Sequence, residues 1–410
     1  MNNARALAVS SLIETLHKGA YSNLECKRTL GQCDLSVGGR ALYKQLYYGT
    51  LERLRLLDHC IGLVSKMKLA KMSPLILNTL RVGAYGIYFT DFPPAKTVSE
   101  TVALFKKKAP NATGLVNAVL RHLPPLPPHL PTPIQYSVAD EVYERLSFSL
   151  DEDTDTFLAN TFTPAPIIAR VNTLKTDDDS LIALLEKQGV TATKTELDNA
   201  LSLSLTGALE DLPAYREGLF HLQGLSSQKA IALLNPQPHE TMLDLCCAPG
   251  GKSFTAAQYM QDSGRIFGFD LHEHRVALIK AGATRLGINS LVAQTADATM
   301  PLDVPQSDCI LADVPCSGLG QLSRRPELRY ALSDVASLNE IQLAILENAS
   351  RYLRSGGRLL YSTCSLDQRE NADIVRAFLS RHKEFSVTEE VVCADAHDGF
   401  YMTLLKKEAL

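Results

Sequence analysis

The chain has 410 residues, of which 45% are hydrophobic and 21% are charged. This composition excludes a disordered or fibrous protein, and the length accommodates roughly two to four domains. The sequence has no apolar run of the roughly 18 residues that a membrane-spanning helix needs. The nine cysteines are an odd number, and none lies in a C-x-x-C pair, which argues against a disulfide framework and a zinc site. We therefore expect no metal, no membrane partner and a reducing, cytoplasmic location.

The net charge of −4 conceals an uneven distribution. Residues 1–125 contain 17 lysines and arginines against 7 acidic residues, whereas the remainder contains 24 against 38. A basic segment on an acidic body is typical of an appendage that binds a polyanion such as nucleic acid. Solvated faces of helical bundles are also often rich in lysine, so charge alone leaves both interpretations open.

The N-terminal segment, residues 1–123, repeats apolar side chains with helical spacing. The series of Leu51, Leu54, Leu57 and Ile61 illustrates the pattern. We predict an all-α bundle of six or seven helices. The residues that follow, 124–133, contain six prolines and predict a semi-rigid linker between domains, because proline this dense fits neither a helix nor a central strand.

Residues 134–235 predict a small α+β module. Residues 167–172 form an apolar strand candidate, and Asp177 precedes an acidic first turn that is typical of the start of a helix. Gly189 would end that helix, and residues 201–205 alternate as a strand does. We expect this module to be distinct from both neighbouring domains.

The C-terminal segment, residues 236–410, alternates between strand and helix patterns and predicts a doubly wound α/β sheet. The predicted strands are TMLDLCC, RIFGFD, SLVAQTAD, SDCILADVPCSG, RLLYSTCS and FYMTLLKK. Helices are predicted for HEHRVALIKAGATRLG and for residues 332–353 and 367–381. In such a sheet, ligands bind at the carboxyl ends of the strands.

The first chemical signal is LDLCCAPGGKS, in which a strand leads through glycines into a helix. A phosphate-binding P-loop would need glycine at Cys246, and no G-x-G-x-x-G of dinucleotide sites is present. Asp270 ends the next predicted strand, where a carboxylate accepts hydrogen bonds from ribose hydroxyls, and Asp297 ends the one after it. The pattern therefore favours an adenosyl ligand without a pyrophosphate, which indicates S-adenosyl-L-methionine.

The second signal is a pair of cysteines at strand ends. Asp313 and Cys316 lie in ADVPCSGLG, and Cys364 lies in YSTCS. A cysteine in an apolar strand is often only a small core residue. Two thiols and an acid together suit methylation of carbon 5 of a pyrimidine, where a thiolate adds to carbon 6, an acid contacts N3 and a base removes the carbon 5 proton. From the residues alone, either cysteine could be the nucleophile.

These motifs resemble those of the RNA 5-methylcytosine methyltransferases of the Nop2/Sun type. RVNTLK and LQGLSSQKA resemble the region that precedes the catalytic core in that family. VSETVALFKK and GLVNAVLRHL resemble its NusB-like RNA-binding extension. The resemblance covers nearly the whole chain. It implies a NusB-like helical domain at 1–123 and a Rossmann-like class I methyltransferase sheet at 236–410.

The resemblance also implies roles for individual residues. Cys364 would be the nucleophile on carbon 6, Cys316 would assist release of the adduct, and Asp313 would contact the cytosine ring. The implied cofactor residues are Cys246, Cys247, Ala248, Pro249, Gly250, Gly251, Lys252, Asp270, Asp297 and Asp313. The implied substrate is 16S rRNA or a small-subunit assembly intermediate, methylated at one cytosine by a monomeric enzyme.

The sequence leaves two other functions to consider. A non-catalytic RNA-binding or antitermination-like factor could keep a methyltransferase-like body, but it would not need thiols at two strand ends. A nicotinamide-dependent dehydrogenase is disfavoured because the dinucleotide glycine motif is missing.

Overall fold

The computed structural model describes residues 3–106, 109–205, 207–330, 334–394 and 398–408. The chain forms two compact units. The helical unit comprises residues 1–163 and 321–332, and the sheet unit comprises residues 164–320 and 333–410. Residues 134–163, which we predicted to begin the middle module, form helices of the helical unit.

The helical unit is built from ten α-helices in its described part. They are α1 (Ala4–Lys18), α2 (Ser22–Gln32), α3 (Val37–Glu52), α4 (Leu54–Val64), α5 (Pro74–Tyr88), α6 (Pro94–Lys106), α7 (Thr113–Arg121), α8 (Thr132–Gln135), α9 (Asp140–Leu150) and α10 (Thr154–Asn160). The first seven lie within residues 1–123, which confirms the predicted bundle.

Local signals explain where these helices begin and end. Asn3 caps α1 by accepting hydrogen bonds from two backbone N–H groups, and Gly19 ends it in the left-handed conformation. Pro74 begins α5, where its missing N–H costs nothing. Apolar side chains at helical spacing, including Leu46 and Leu57, are fully buried in one core.

A segment from much later in the chain completes the helical unit. Residues 321–332 carry the fully buried Arg329, which donates to the carbonyl of Tyr136 at 3.0 Å and stacks 4.5 Å over the Phe162 ring. The hydroxyl of Tyr330 donates to the carbonyl of Leu51 at 2.7 Å. We did not predict this segment, because its partners lie far away in sequence.

The sheet unit begins with a four-stranded antiparallel sheet of order β2-β3-β1-β4. Its elements are β1 (Ile167–Val171), α11 (Asp178–Lys187), β2 (Thr191–Lys194), β3 (Ala200–Ser204), α12 (Pro213–Arg216) and β4 (Phe220–Leu222). Asp177 caps α11, as predicted. The predicted strands at 167–172 and 201–205 are confirmed as β1 and β3.

The second sheet has seven strands in the order β10-β11-β9-β8-β5-β6-β7. Its elements are α13 (Leu225–Leu234), β5 (Thr241–Asp244), α14 (Gly251–Tyr259), β6 (Arg265–Asp270), α15 (Glu273–Leu286), β7 (Leu291–Thr295), β8 (Ser307–Asp313), α16 (Val335–Ser350), β9 (Leu353–Thr363), α17 (Ala372–Arg381), β10 (Phe385–Ala394) and β11 (Gly399–Lys407). Strands β5 to β9 are parallel, whereas β10 and β11 are antiparallel.

The predicted α/β sheet is therefore confirmed, with three differences. Strand β10 was not predicted, because most of its residues are exposed at the edge of the sheet and no buried alternating face marks it. Helix α16 begins at Val335 after the Asp334 cap, and the predicted residues 332 and 333 lie outside the described residues. Helix α17 begins at Ala372, because a separate 3-10 turn occupies Gln368–Glu370.

Strand residues alternate between two cores, one on each face of the large sheet. Met242 and Leu360 face α13, α14 and α15, whereas the adjacent Leu243 and Leu359 face α16 and α17. Burial on both faces explains why these strands are continuous apolar runs, and it fixes the edge where the loops emerge.

Polar contacts join the two sheets within the sheet unit. The Asn172 amide donates to the carbonyls of Gly218 at 2.8 Å and Leu286 at 2.9 Å. The Arg285 guanidinium donates to the carbonyls of Tyr215 and Phe220. The motif RVNTLK therefore has a structural role: it attaches the small sheet to the large one.

Within the described ranges, no helix is both long and apolar enough to cross a bilayer. The same ranges contain no group of three or more His, Cys, Asp or Glu side chains that could hold a metal ion. All nine cysteines are free. The cysteines at the sheet edge are therefore present as thiols.

Candidate active site

The candidate site lies where the parallel strands of the large sheet end. Asp244, Asp270 and Asp313 are the last residues of β5, β6 and β8, and Cys364 directly follows β9. Because β5, β6, β8 and β9 are parallel neighbours, their carboxyl ends meet at one edge. The sequence-predicted residues thus fall along one edge of one sheet.

The loop after β5 turns sharply into α14. Gly250 has φ +107°, and a Cβ at this position would lie 2.3 Å from the Phe254 ring. Gly251 begins the helix, and a Cβ there would meet nothing closer than 3.9 Å. The free N–H groups of the helix N-terminus are therefore accessible, which suits a polar ligand.

Beneath this loop, Asp244 is buried. One of its oxygens accepts from the Ser253 hydroxyl at 2.7 Å, and the Cys247 thiol donates to the same hydroxyl at 3.3 Å. The other oxygen has no partner among the described residues. Burial raises the pKa of Asp244 to about 6, and it raises the pKa of the Cys246 and Cys247 thiols well above the ordinary value.

Asp270 and Asp297 are held by short local contacts. Asp270 is buried and accepts from the backbone N–H of His272 at 3.0 Å. Asp297 lies two residues beyond β7, is exposed, and accepts from the N–H of Thr299 at 2.9 Å and its hydroxyl at 2.7 Å. Each carboxylate keeps lone pairs free for a ligand hydroxyl.

Asp313 joins the loop after β5 to the strands that carry the thiols. One oxygen pairs with the Lys252 ammonium at 2.7 Å, and the other accepts from the Ser362 hydroxyl at 2.8 Å. Burial alone would lower the pKa of Lys252, but the Asp313 carboxylate outweighs it and the pKa is raised. Lys252 is therefore a fixed ammonium beside Asp313.

The two thiols lie next to each other. The Sγ atoms of Cys316 and Cys364 are 3.3 Å apart, and both residues are half-buried. The hydrogen bond with Cys364, followed by burial, raises the pKa of Cys316 well above its ordinary value. The N–H of Gly320 donates to the Cys364 carbonyl at 3.0 Å, so the loop after β8 is bonded directly to the loop after β9.

A further group of residues behind the thiols was not predicted. Glu370 is fully buried and accepts from the N–H of Ser317 at 2.8 Å and from the hydroxyl of Ser365 at 2.7 Å. Each serine follows one of the two thiols in sequence. A signal was available in the sequence, since both cysteines lie in a Cys-Ser pair, but nothing in it identified the partner of the serines.

The site fits an adenosyl ligand in its donors and its shape. Asp270 offers a carboxylate where ribose hydroxyls would bind, the buried Asp244 has an unpartnered oxygen, and Gly251 leaves the start of α14 open. An adenosyl group with a sulfonium and an amino-acid tail can use all three features.

Three family models match the chain. "16S rRNA methyltransferase RsmB/F" matches residues 231–404, "NusB family" matches residues 2–124, and "Methyltr_RsmF/B-like, ferredoxin-like domain" matches residues 142–209. Together they give a helical N-terminal region, a ferredoxin-like module and a Rossmann-like methyltransferase sheet. The fold class predicted from the sequence is therefore confirmed. The domain boundaries that we drew remain predictions.

Curated relatives match over nearly the full length of the chain. The probable ribosomal RNA small subunit methyltransferase B of Bacillus subtilis is 31% identical over 93% of this chain and 89% of its own. Ribosomal RNA small subunit methyltransferase B of Proteus mirabilis is 30% identical over 99% of both chains.

Solved structures share the fold. The crystal structure of PH0851 has a TM-score of 0.81 and 24% identity, and the match covers 98% of this chain and 97% of that one. The structure of NSun6 from Pyrococcus horikoshii with SFG has a TM-score of 0.60 and 21% identity, over 66% of this chain and 99% of that one.

Proposed function

The chain belongs to the 16S rRNA methyltransferase RsmB/F family, and on this premise we propose that it methylates carbon 5 of one cytosine in 16S rRNA with S-adenosyl-L-methionine as the methyl donor. The observation that carries the proposal is the 3.3 Å pair of Cys316 and Cys364 beside the 2.7 Å pair of Asp313 and Lys252. A thiol pair and a fixed acid are the groups that this reaction needs.

Cys364 acts as the nucleophile. Its thiolate adds to carbon 6 of the flipped-out cytosine, which converts carbon 5 into an enamine carbon able to accept a methyl group. Asp313 contacts the ring edge that carries N3 and the amino group, and the Lys252 ammonium that it holds offsets the negative charge that develops at N3 during the addition. The ammonium of Lys252 and the hydroxyl of Ser362 hold the Asp313 carboxylate in one orientation.

Cys316 assists release of the product. After methylation, carbon 5 must lose its proton so that the C5=C6 double bond forms again and the bond from carbon 6 to the Cys364 sulfur breaks. Cys316 lies 3.3 Å from that sulfur. Its raised pKa keeps Cys316 a thiol, which can donate a hydrogen bond to the departing Cys364 sulfur, while the proton of carbon 5 passes to a solvent water.

The loop after β5 holds the cofactor in this proposal. Cys246 to Lys252, together with Asp270 and Asp297, would hold the cofactor, and the Asp270 carboxylate would accept hydrogen bonds from its ribose hydroxyls. The bound cofactor supplies an electrophilic methyl group on a sulfonium. The fit of the loop supports this assignment, since the start of α14 is open and the acids are already oriented by backbone N–H groups.

The basic N-terminal region is proposed to bind the RNA. Residues 1–125 carry ten more positive than negative charges, and such a surface binds phosphates without regard to sequence. The substrate is 16S rRNA or a small-subunit assembly intermediate, and we propose that the protein acts as a monomer.

The decisive experiment compares Cys364→Ala and Cys316→Ala with the parent protein. Each is incubated with small-subunit rRNA and S-adenosyl-L-methionine, and both methylation and covalent RNA adducts are scored. We expect Cys364→Ala to lose both, with a fall of about 10⁴-fold or more. Cys316→Ala should accumulate the adduct, because it forms the C6–S bond but releases it slowly.

Two outcomes would contradict the proposal. If Cys316→Ala cannot form an adduct while Cys364→Ala can, the roles of the two thiols are reversed. If the parent protein neither methylates rRNA nor forms an adduct with 5-azacytosine-containing RNA, a non-catalytic RNA-binding factor becomes the better description.

A further inference from the structure

Both thiols are followed by a serine, and the two serines meet behind them. Cys316 precedes Ser317 and Cys364 precedes Ser365, and the two hydroxyl oxygens are 3.1 Å apart. Both serine side chains are buried. The spacing of the serines is therefore coupled to the spacing of the thiols, since each serine is bonded to its cysteine through one peptide.

We propose that Glu370 is a positioning residue that sets the distance between the Cys316 and Cys364 thiols by clamping the serine that follows each of them. Its importance for catalysis rests on the proposed function, but the clamp itself is a property of the folded protein. Glu370 does not touch the reacting atoms in this proposal; it acts through Ser317 and Ser365.

Four hydrogen bonds to one carboxyl group form the clamp. One oxygen of Glu370 accepts from the Ser317 N–H at 2.8 Å and from the Gln342 amide at 3.1 Å. The other accepts from the Ser365 hydroxyl at 2.7 Å and also from the Ser317 hydroxyl. An ionised carboxyl group only accepts hydrogen bonds, so it can engage four donors at once.

The position of Glu370 is itself fixed from several directions. The Tyr361 hydroxyl donates to its backbone carbonyl at 2.5 Å. The neighbouring Asn371 donates to the Ser365 carbonyl at 3.0 Å. Gln342, which donates to the Glu370 carboxyl group, also donates to the Pro315 carbonyl at 2.9 Å, one residue before Cys316. Glu370 thus connects the ends of β8 and β9 to helix α16.

Glu370 has no cationic partner among the described residues, and a buried carboxyl group in that situation costs desolvation free energy. Its donors here are an N–H group, two hydroxyls and an amide, all neutral. Apolar packing would stabilise the fold at least as well, because it avoids the desolvation of a charge. What a carboxyl group adds is direction, since it holds two serines at once with short bonds.

Glu370 also contributes to the raised pKa of the Cys316 thiol. The hydrogen bond with Cys364 and burial are the larger causes, but Glu370 is among the groups that raise the pKa of Cys316. Cys316 therefore remains a thiol and can donate a hydrogen bond to a Cys364 thiolate. The clamp fixes the distance between the sulfurs and contributes to keeping Cys316 a thiol.

The first test measures the geometry without any substrate. The full-length protein is treated with diamide, which takes up two electrons and two protons as the Cys316 and Cys364 thiols join in a disulfide, and the linked peptide is quantified by mass spectrometry. The parent should form this disulfide readily. Glu370→Ala should slow it by about tenfold or more, because disulfide bonds demand specific geometry, whereas Glu370→Gln should stay within about threefold.

Glu370→Gln is the conservative variant because its amide keeps a partner for every group in the clamp. Its oxygen can accept from the Ser317 N–H, and its NH₂ can donate to the serine hydroxyls. The matched control is Glu240→Ala, which removes a partly buried carboxylate that pairs with Arg358 at 2.7 Å elsewhere in the sheet unit. This control should form the disulfide at the parent rate.

The second test measures kcat and KM. We expect Glu370→Ala to lower kcat by about 100-fold, as a displaced reacting group does, while KM for S-adenosyl-L-methionine changes by no more than about threefold. Glu370→Gln should recover most of kcat. A general loss of stability would instead alter both constants and would affect Glu240→Ala as well.

The proposed role of Glu370 is contradicted if Glu370→Ala forms the disulfide as fast as the parent protein does. It is also contradicted if Glu370→Gln forms the disulfide as slowly as Glu370→Ala does. These outcomes are independent of the proposed function. If the parent protein fails to methylate rRNA but the disulfide results are as expected, the clamp stands and the assigned reaction does not.

Discussion

The two halves of the sheet edge hold their polar side chains in different ways. In the half formed by β5, β6 and β7, acids are held by groups that follow them closely in sequence: Asp270 by the N–H of His272, Asp297 by the N–H of Thr299, and Asp244 by the Ser253 hydroxyl. In the half formed by β8 and β9, side chains are held by partners from other elements. Asp313 contacts Lys252 across 61 positions of sequence, and Glu370 contacts Ser317 across 53.

This difference indicates how each half of the sheet edge responds to amino-acid substitutions. A local contact survives whenever its turn forms, so the first half depends mainly on backbone conformation. The second half depends on several elements being in place at once, so a substitution far from the thiols can move them. The predictions below test this contrast, beginning with the largest expected effect.

Asp313→Asn should cause the largest loss. It removes the charge that pairs with Lys252 and the acid proposed to contact N3, so kcat should fall by roughly 10²–10³-fold. Asp270→Asn is the counterpart in the other half. It should weaken cofactor binding by about tenfold while kcat at saturation changes little, because asparagine keeps one acceptor oxygen for the ribose and loses the other. Steady-state kinetics and calorimetric titration of the cofactor distinguish the two, and identical profiles would remove the contrast.

Gly250→Ala should destabilise the cofactor half through its backbone. The residue has φ +107°, and a Cβ would overlap the Phe254 ring. The free energy of unfolding should fall by about 2–4 kcal/mol. Gly356→Ala is the matched control: Gly356 also has a positive φ, of +78°, but has nothing within 4 Å of a Cβ, so only about 1 kcal/mol is expected. Urea denaturation measures both, and equal losses would show that crowding is unimportant.

Low pH should reduce the stability of the sheet unit through His221, whose ring lies edge-on to the Phe254 ring of α14. Burial, followed by the charges of Arg170 and Arg285, lowers the pKa of His221 to about 3. Below pH 6.5 the unfolded chain therefore binds a proton that the folded chain does not, and stability falls as the pH falls toward 3.

His221→Gln should reduce this acid sensitivity. Between pH 7 and pH 4.5, the parent protein should lose about 2 kcal/mol more stability than the variant does. Asp244 acts in the opposite direction, since burial raises its pKa to about 6 and the folded chain gains a proton as the pH falls through 6. The Asp244→Asn variant should therefore lose more stability than the parent protein between pH 7 and pH 4.5. Urea denaturation of both variants at the two pH values checks the sign of each effect.

Asp297→Asn should have the smallest effect. The side chain is exposed and accepts only from Thr299, and an asparagine oxygen can accept the same bonds. Cofactor affinity should change by no more than about threefold, and stability by less than about 0.5 kcal/mol. A loss as large as that of Asp270→Asn would show that Asp297 contributes more than a local turn.

Prediction from sequence was successful where the physical cause is local. The Asp177 cap, the glycine turn at Gly250 and the place of Asp270 at the end of its strand each depend on residues only a few positions away, and the structure confirms these three positions. The apolar strands β5 and β8 were recognised because burial on both faces leaves continuous hydrophobic runs.

Prediction failed where distant residues decide the structure. Glu370 was missed because nothing in its own neighbourhood marks it: six residues after Cys364, it is one acid in a polar turn. Strand β10 was missed because most of its side chains are exposed, so no buried face marks it, and its pairing with β11 depends on residues later in the chain. That the two thiols lie 3.3 Å apart could be expected only in outline, from the parallel order of β8 and β9.

The segment that carries Arg329 has a consequence for biosynthesis. A ribosome completes residues 1–163 before any residue of the sheet unit, yet the helical unit also needs residues 321–332. At ordinary translation rates, the delay between the two is on the order of ten seconds. During that interval the carbonyl of Tyr136 and the ring of Phe162 lack the guanidinium that later covers them. The nascent helical unit therefore matures only after most of the sheet unit has been synthesised, although it emerges first.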